Sequence, residues 1–584
     1  MPLRSPSTYP ALSLCRSGCG HGWLHFVFAL ACISVLVALT TGSAQAQTPP
    51  DAGTLRQQIE SERTTPLPAQ RAPLQTPPVA PVPREPGPVL TVSAFRFSGN
   101  TLLSDAQLAP ALASYLNRPL QFAELERAAQ VVADTYRQAG WLARAFLPQQ
   151  EIDAGIVTIG IAEARFGGVT LEGPAPTRIP LARLLAVIEA AQPVGAAVRL
   201  EAIDRALLLI DDLPGVSASA SLAEGRKEGH TDLLIKFADT PLIAGELGVD
   251  NMGSRSTGRE RVTANFGFNS AFGIGDQFSA QLSRTQGNDY ARVALSMPLG
   301  NSGLRFGVNA SDLSYKLVAT EFRALNARGD SQASGIDLSY PLLRARSRNV
   351  FLSLNIDSKR FDNESGGVTT TRYKINSTTL GLNGNWFDGA GMNSAGFSFV
   401  EGKLDLAGSP NQSADAAGAQ VAGRFSKRRY SATRQQSLSE ALSVYAAFSG
   451  QSAGKNLDSA EKFYLGGASG VRAYPGNEGG GAEGHLVNLE LRMRLPNNLS
   501  LAGFYDWGEV KVNRHSSFPG AATLNRYSLK GAGVAVSIAA PFGVNLKLSW
   551  ARRIGENPNR TATGNDQDGS LLVDRFWLQA ALPF

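Results

Sequence analysis

From about residue 242 to the carboxyl terminus the chain alternates apolar and polar residues with a period of two and never settles into a helical period. In "ERVTANFGFN", Val262, Ala264, Phe266 and Phe268 share one face, while Arg261, Thr263, Asn265 and Gly267 share the other. In "LVNLELRMRL", Val487, Leu489, Leu491, Met493 and Leu495 oppose Asn488, Glu490, Arg492 and Arg494. Gly, Asn, Asp and Ser turns separate such runs. Alternation this strict, kept up over so much chain, needs two different solvents on the two faces. A soluble sandwich supplies them as core and water; a membrane barrel supplies them inverted, with lipid outside and a wet lumen inside. Length favours the barrel, because sandwiches rarely exceed about 200–250 residues as one domain. At about 21 residues per strand with its connection, the segment holds roughly sixteen antiparallel strands, an even number as a single-chain barrel requires.

The two ends of the chain agree with a barrel. The carboxyl-terminal "FWLQAALPF" alternates through Phe576, Leu578, Ala580 and Leu582 to Phe584, which resembles the last strand of bacterial outer-membrane barrels. At the amino terminus, Arg4 and Arg16 precede an apolar core, Phe26 to Leu39, and "AQA" at Ala44 to Ala46 fits a signal-cleavage site. The core is shorter than the roughly 20 residues of a membrane anchor. Residues 1–46 therefore read as a signal peptide, with export and a mature start at Gln47. Cys15, Cys19 and Cys32 all lie inside that segment, so no disulfide or thiolate chemistry is expected beyond it. His230, His485 and His515 are scattered without metal-ligand spacing. There is no nucleophile elbow, P-loop or HExxH. The formal charge of +6 includes no basic stripe interleaved with aromatics, which argues against nucleic acid. No catalytic residue, cofactor or metal is expected, and the chain does not read as an enzyme.

Between leader and barrel the composition shifts twice. Asp51 to Arg63 is a polar helix candidate within a region spanning 47–65; the alternative is a disordered leader. Pro66 to Pro88 is proline-rich, and proline fixes φ and removes donors, so 66–89 reads as an extended linker able to span several tens of ångströms at about 3 Å per residue. Two β-α-α-β-β units follow, over 90–165 and 166–240. In the first, Leu125, Ala128, Ala129, Val132 and Tyr136 share a helix face, and "LSDAQLAPALASYL" also has helical spacing. The barrel segment is taken as 241–584.

One stretch of the barrel segment departs from strand chemistry. "YLGGASGVRAYPG", Tyr464 to Gly476, places Val471, Arg472 and Tyr474 among glycines that include Gly466 and Gly467. A later strand carries "GFYDWGEV", whose period of two puts Phe504, Asp506 and Gly508 on one face. If Asp506 faces the lumen, an arginine on a glycine-rich loop can reach in and form a bidentate pair, with Tyr474 packed beside the guanidinium. The loop would then be latched inside the barrel. The plainer alternative is a surface loop with a stray charge. "DNMGSRSTG", Asp250 to Gly258, reads as a turn near the start of the barrel, without assigned chemistry.

Over nearly all of the expected mature chain the sequence resembles the outer-membrane transporters of two-partner secretion, within the Omp85 superfamily. The resemblance is carried by "FRFSGNTLL", "YRQAGWLARAFLPQQEIDAGIVTI" and "LLLIDDLPGV", and in the barrel by "DNMGSRSTG", "LGGASGVRAY" and "FYDWG". The loop motif usually reads VRGY; here Ala473 replaces the glycine, which leaves the arginine intact and bears only on turn geometry. The resemblance implies a plug helix, a linker, two POTRA domains and a sixteen-stranded barrel in the outer membrane of a Gram-negative bacterium, with the POTRA domains in the periplasm. It makes Arg472 and Asp506 a latch pair, supported by Tyr474, Gly466, Gly467, Val471, Phe504 and Gly508. It implies as partner a secreted exoprotein such as a haemolysin, haemagglutinin or adhesin, besides outer-membrane lipid and the barrel assembly machinery during biogenesis. An insertase of other barrels, or a passive porin, is the alternative.

Overall fold

The computed structural model describes residues 49–63, 68 and 89–584. The expected signal peptide and all of the expected linker except Pro68 and Val89 lie outside them. The alternating segment closes into a 16-strand antiparallel barrel that runs from Ile243–Asp250 to Asp574–Pro583. The last strand pairs with the first over Gln579↔Asp250 to Pro583↔Glu246. The apolar residues point outward: Leu489, Leu491 and Met493 on the twelfth strand (Glu483–Leu495) and Phe576 and Leu578 on the last are all exposed. That inversion, apolar side chains on the outer wall and polar ones within, is the lipid-facing pattern and excludes the sandwich.

Strand length is uneven around the wall. The first three strands have 8, 9 and 8 residues. The seventh (Arg348–Ser365) has 18 and the eighth (Val368–Phe387) has 20. Long connections join strands at one end of the barrel and short turns at the other, where the two α/β units attach.

Both units have the expected element order. In the first, Ala94–Ser98 pairs in parallel with Ile156–Glu163, which pairs antiparallel with Ala143–Phe146. The helix Phe122–Gln138 buries Leu125, Ala128, Ala129, Val132 and Tyr136 against them, the face its spacing predicts. "LSDAQLAPALASYL" is not one α-helix: a single turn, Asp105–Leu108, tightens into a 3-10 segment, Ala109–Tyr115, with Pro110 at its start. Proline has no N–H to continue the α ladder, which accounts for the change. In the second unit, Arg165–Leu171 and Val216–Glu224 flank His230–Asp239, beneath the helices Leu181–Ala191 and Leu200–Asp211.

The repeat extends to a capping carboxylate. Glu163 ends the last strand of the first unit and accepts hydrogen bonds from the N–H groups of Thr101 (2.6 Å) and Leu102 (2.7 Å) and from the Tyr136 hydroxyl (2.9 Å). Asp239 ends the last strand of the second and accepts from the Thr177 N–H (3.1 Å) and hydroxyl (2.5 Å). Burial raises the Glu163 pKa, but the hydrogen bonds from Thr101, Leu102 and Tyr136 bring it below the usual carboxylate range. The Thr177 hydroxyl lowers Asp239 likewise.

The second unit docks on the short-turn end of the barrel through charge. Asp212 receives a bidentate pair from Arg344, both bonds 2.8 Å, and Asp204 pairs with Arg346 at 2.7 Å. Both carboxylates lie on or just after Leu200–Asp211, and both arginines at the turn between the sixth and seventh strands.

Candidate functional site

Two elements fill the lumen. The first is the helix Ala52–Glu62, capped at its amino end by Asp51, which accepts from the Thr54 N–H at 2.8 Å. Ala52, Leu55 and Ile59, spaced for one helical face, pack against wall residues that include Tyr315, Phe361 and Tyr373. Its other contacts are polar. Arg56 is fully buried and donates to the hydroxyls of Ser331 and Ser311, each at 2.8 Å. Glu60 lies 3.5 Å from Lys359, which also reaches Glu461 at 3.3 Å; Lys427 pairs with Glu461 at 2.6 Å. Glu62 pairs with Arg261, which also binds Asp250. A helix held so largely by hydrogen bonds and ion pairs could exchange them for water at far less cost than an apolar one.

The second element is the loop between the eleventh strand (Leu442–Ala453) and the twelfth, which folds back into the barrel. Its tip is built as the glycines require. A Cβ on Gly466 would fall 1.9 Å from the Pro475 carbonyl oxygen, and Gly467 has φ +110°. Inside this fold the Val471 N–H donates to the Leu465 carbonyl and the Gly467 N–H to that of Tyr474. Arg472 is thereby presented to the thirteenth strand, Leu499–Lys511, whose Phe504, Asp506 and Gly508 all face inward and are buried.

Arg472 and Asp506 meet in a buried, bidentate ion pair. Arg472 Nε donates to Asp506 Oδ2 at 2.8 Å and Nη2 to Oδ1 at 2.7 Å. The Arg472 backbone N–H adds a third bond to Oδ2, 3.0 Å. Nη1 reaches Glu490 at 2.7 Å, and the guanidinium carbon sits 3.5 Å from the centre of the Phe504 ring. Asn488 donates to Asp506 Oδ1 and to the Gly470 carbonyl, joining carboxylate and loop. Gly508 is needed for space: a Cβ there would lie 2.7 Å from Leu465 of the loop. Ala473 is accommodated because its backbone is not among those with positive φ and its methyl lies over Gly531.

One expectation needs correction. Tyr474 is buried, but it does not pack beside Arg472. Its ring lies under the guanidinium of Arg553, 4.6 Å away, while Phe504 takes the place beside Arg472. Phe504 precedes Asp506 by two on the same strand face, so it is already beneath any arginine that binds the carboxylate.

Several contacts escaped sequence reasoning. Trp577 on the closing strand donates its indole N–H to the Arg472 carbonyl, 2.8 Å. Glu478 of the loop is fully buried and accepts from Asn557 (3.0 Å) and from the Gln567 N–H (2.8 Å), both in the connection before the last strand. Arg553 pairs with Asp566 in the same connection. "DNMGSRSTG" is more than a turn: the Met252 carbonyl accepts from Gln58 of the lumen helix. Alternation reveals which strand residues face inward, but not which loop residue meets them. Loop and helix also touch, since a Cβ on Gly476 would fall 2.6 Å from Gln58 Nε2. Among the described residues no His, Cys, Asp or Glu cluster is arranged to hold a metal.

The model of the family described as haemolysin secretion/activation protein ShlB/FhaC/HecB matches residues 229–540. The chain belongs to this family. A ShlB-type POTRA domain matches residues 90–164. The heme/hemopexin transporter protein HuxB of Haemophilus influenzae (strain 86-028NP) is 29% identical over 521 residues, covering 86% of this chain and 91% of that one. The outer membrane transporter CdiB of Dickeya dadantii is 23% identical and covers 80% and 83%. The solved structure of CdiB from Escherichia coli superposes with TM-score 0.67 at 20% identity, over 97% of this chain and all of that one, and so has the same fold. The protein is accordingly an outer-membrane transporter of two-partner secretion, which takes an exoprotein across the outer membrane to the cell surface, with its POTRA domains in the periplasm. Its family is one of transporters rather than enzymes.

Proposed function

We propose that Arg472 and Asp506 form a latch that holds the inward loop, and that transport requires this loop and the lumen helix to yield together. The observation that carries the reading is their mutual contact: the loop that Asp506 anchors is the loop that packs on Gln58 of the helix. The buried bidentate pair fixes one geometry, which suits a latch with two discrete positions.

The supporting residues then have separate tasks. Gly466 and Gly467 shape the loop tip, Val471 and Tyr474 seat it, Phe504 stacks on the guanidinium, and Gly508 leaves room for Leu465. The chain divides into a signal peptide (1–46), a plug region (47–65), a linker (66–89), POTRA domains (90–165 and 166–240) and the barrel (241–584). The partner is a large exoprotein of the haemolysin, haemagglutinin or adhesin kind. It arrives unfolded and adds a strand to exposed POTRA edges, which demands little sequence specificity. The helix withdraws on its linker, and folding of the partner outside draws it forward. The barrel assembly machinery inserts the transporter during biogenesis.

Deletion of the gene, with mass spectrometry of culture supernatant and outer membrane, tests the partner. One or two large exoproteins should vanish while other barrels stay unchanged. Asp506→Ala and Arg472→Ala test the latch: both should assemble as barrels and export poorly, and normal export by both would refute it.

A further inference from the structure

The outer wall carries a second feature that transport does not use. In the middle of the wall on the seventh to tenth strands the outward residues are apolar as far as Ile356, Leu380, Phe399 and Tyr430, and beyond them, toward the long-loop end, the character changes abruptly. Arg428 is one outward step past Tyr430, Lys403 two past Phe399 and Arg360 two past Ile356. Arg424 and Lys374 are three past Tyr430 and Leu380. Outward direction is fixed by the neighbours: Phe361, Tyr373, Leu404, Phe425 and Lys427 alternate with these residues and are buried in the lumen.

The register stacks like charges. Arg360 lies directly opposite Lys374, and Lys403 directly opposite Arg424. Like charges facing across a strand pair are destabilising unless something neutralises them. The nearby outward carboxylates, Glu401, Asp405 and Asp362, leave an excess of positive charge, although Asp405 is opposite Lys374 and Asp362 is engaged by Arg372. Among the described residues no hydrogen bond or ion pair engages the five basic side chains. By contrast, Arg526 pairs with Glu509 at 3.2 Å and, at the edge of the cluster, Arg372 pairs with Asp362 at 2.6 Å.

We propose that Arg360, Lys374, Lys403, Arg424 and Arg428 form a binding site for the phosphorylated headgroup of an outer-leaflet lipid. The site is continuous with the lipid-facing band, so the acyl chains of the ligand lie along Ile356, Leu380 and Phe399 while its phosphates meet the cations. Arginine and lysine donors suit phosphate oxygens, and apposed charges on neighbouring strands match a headgroup with more than one phosphate. The site rests on the outer-membrane location of the barrel and is independent of the latch.

The test uses the full-length transporter purified in detergent, with diphosphoryl lipid A as probe and native mass spectrometry and melting temperature as readouts. The wild-type protein should retain the lipid and melt higher with it. The variant R360S/K403S/R424S/R428S should bind about a hundredfold more weakly, each basic residue being worth several-fold at a membrane surface. Arg526→Ser should bind like wild type. Lipid A stripped of its phosphates should bind wild type as weakly as the fourfold variant binds the intact lipid. If the fourfold variant does not assemble, as judged by heat-dependent gel mobility, K403S/R424S should still show about a tenfold loss. Equal binding by wild type and the folded variant would overturn the proposal. So would displacement of bound lipid by an equal concentration of inorganic phosphate, which would make the patch a site for the free anion.

Discussion

Trp577, on the strand that closes the barrel, donates its indole N–H to the carbonyl of Arg472, 2.8 Å away and 105 residues earlier in the chain. The inward loop is therefore tied at one residue to two parts of the wall. The Arg472 side chain goes to Asp506 on the thirteenth strand, and its backbone goes to the last strand beside the closing seam.

Trp577→Phe keeps an aromatic side chain and removes this bond, worth about 1 kcal/mol. The barrel should assemble normally, and the loop should become several-fold more accessible to protease added outside cells. Unchanged loop protection would mean that the seam contributes nothing to seating the loop.

Asp506→Asn and Arg472→Lys each retain bulk but break the fork. Asp506→Asn removes one partner of the buried pair and leaves Arg472 with Glu490 alone, at about 3–5 kcal/mol, so export should fall by more than tenfold in quantitative immunoblots of culture supernatant, while heat-dependent gel mobility still reports a folded barrel. Arg472→Lys should retain more function than Arg472→Ala, because one charge-assisted bond survives.

A disulfide can hold the lumen helix in place. A Cβ built on Gly53 comes within 2.6 Å of Ser459 Oγ, so cysteines at these two positions are neighbours. The native cysteines at 15, 19 and 32 all precede the helix. The oxidised Gly53→Cys/Ser459→Cys protein should not export its partner, and reduction should restore export. Full export through the cross-linked protein would show that the helix need not leave.

The two capping carboxylates give the periplasmic units a pH dependence. Both are held below their ordinary values, so their stabilising contribution is complete above the unfolded pKa values, near 4, and is lost as the pH falls below that. Hydrogen exchange of the Thr101 and Thr177 segments in the full-length protein should accelerate below about pH 4 relative to the intrinsic amide rate. Glu163→Gln and Asp239→Asn should make these segments exchange fast at neutral pH and abolish the acid step.

Docking of the second POTRA-like unit depends on two carboxylates. In Asp204→Ala/Asp212→Ala, Arg346 and Arg344 lose these two carboxylates. Spin-label distances between this unit and the barrel should broaden, and export should drop several-fold with the barrel unaffected. An unchanged distance distribution would assign the docking to apolar contacts such as Leu213 against Gly275.

The barrel was legible because lipid forces a period of two on each strand, and Asp506 was legible because that period sets it in line with Phe504 and Gly508. Arg472 stood out through the glycines that turn its loop back. Tyr474 was misplaced because its cationic neighbour, Arg553, lies on another strand, and ring pairings of this kind follow from three-dimensional register. Trp577, Glu478 and Lys427 gave no local signal: each sits in ordinary strand or loop sequence, and its partner is distant in the chain. The repeat of the α/β units was visible in element order, but the matching duty of Glu163 and Asp239 was not, since one is a glutamate and the other an aspartate, and neither belongs to a motif.

The uneven strands make the rim of this pore a lip rather than a ring. At about 3.4 Å per residue the eighth strand runs roughly 68 Å and the first roughly 27 Å. A polypeptide leaving the lumen meets a high wall on one side and a low sill on the other, beside the seam that Trp577 ties to the loop. The rim is lowest on the side where the barrel closes.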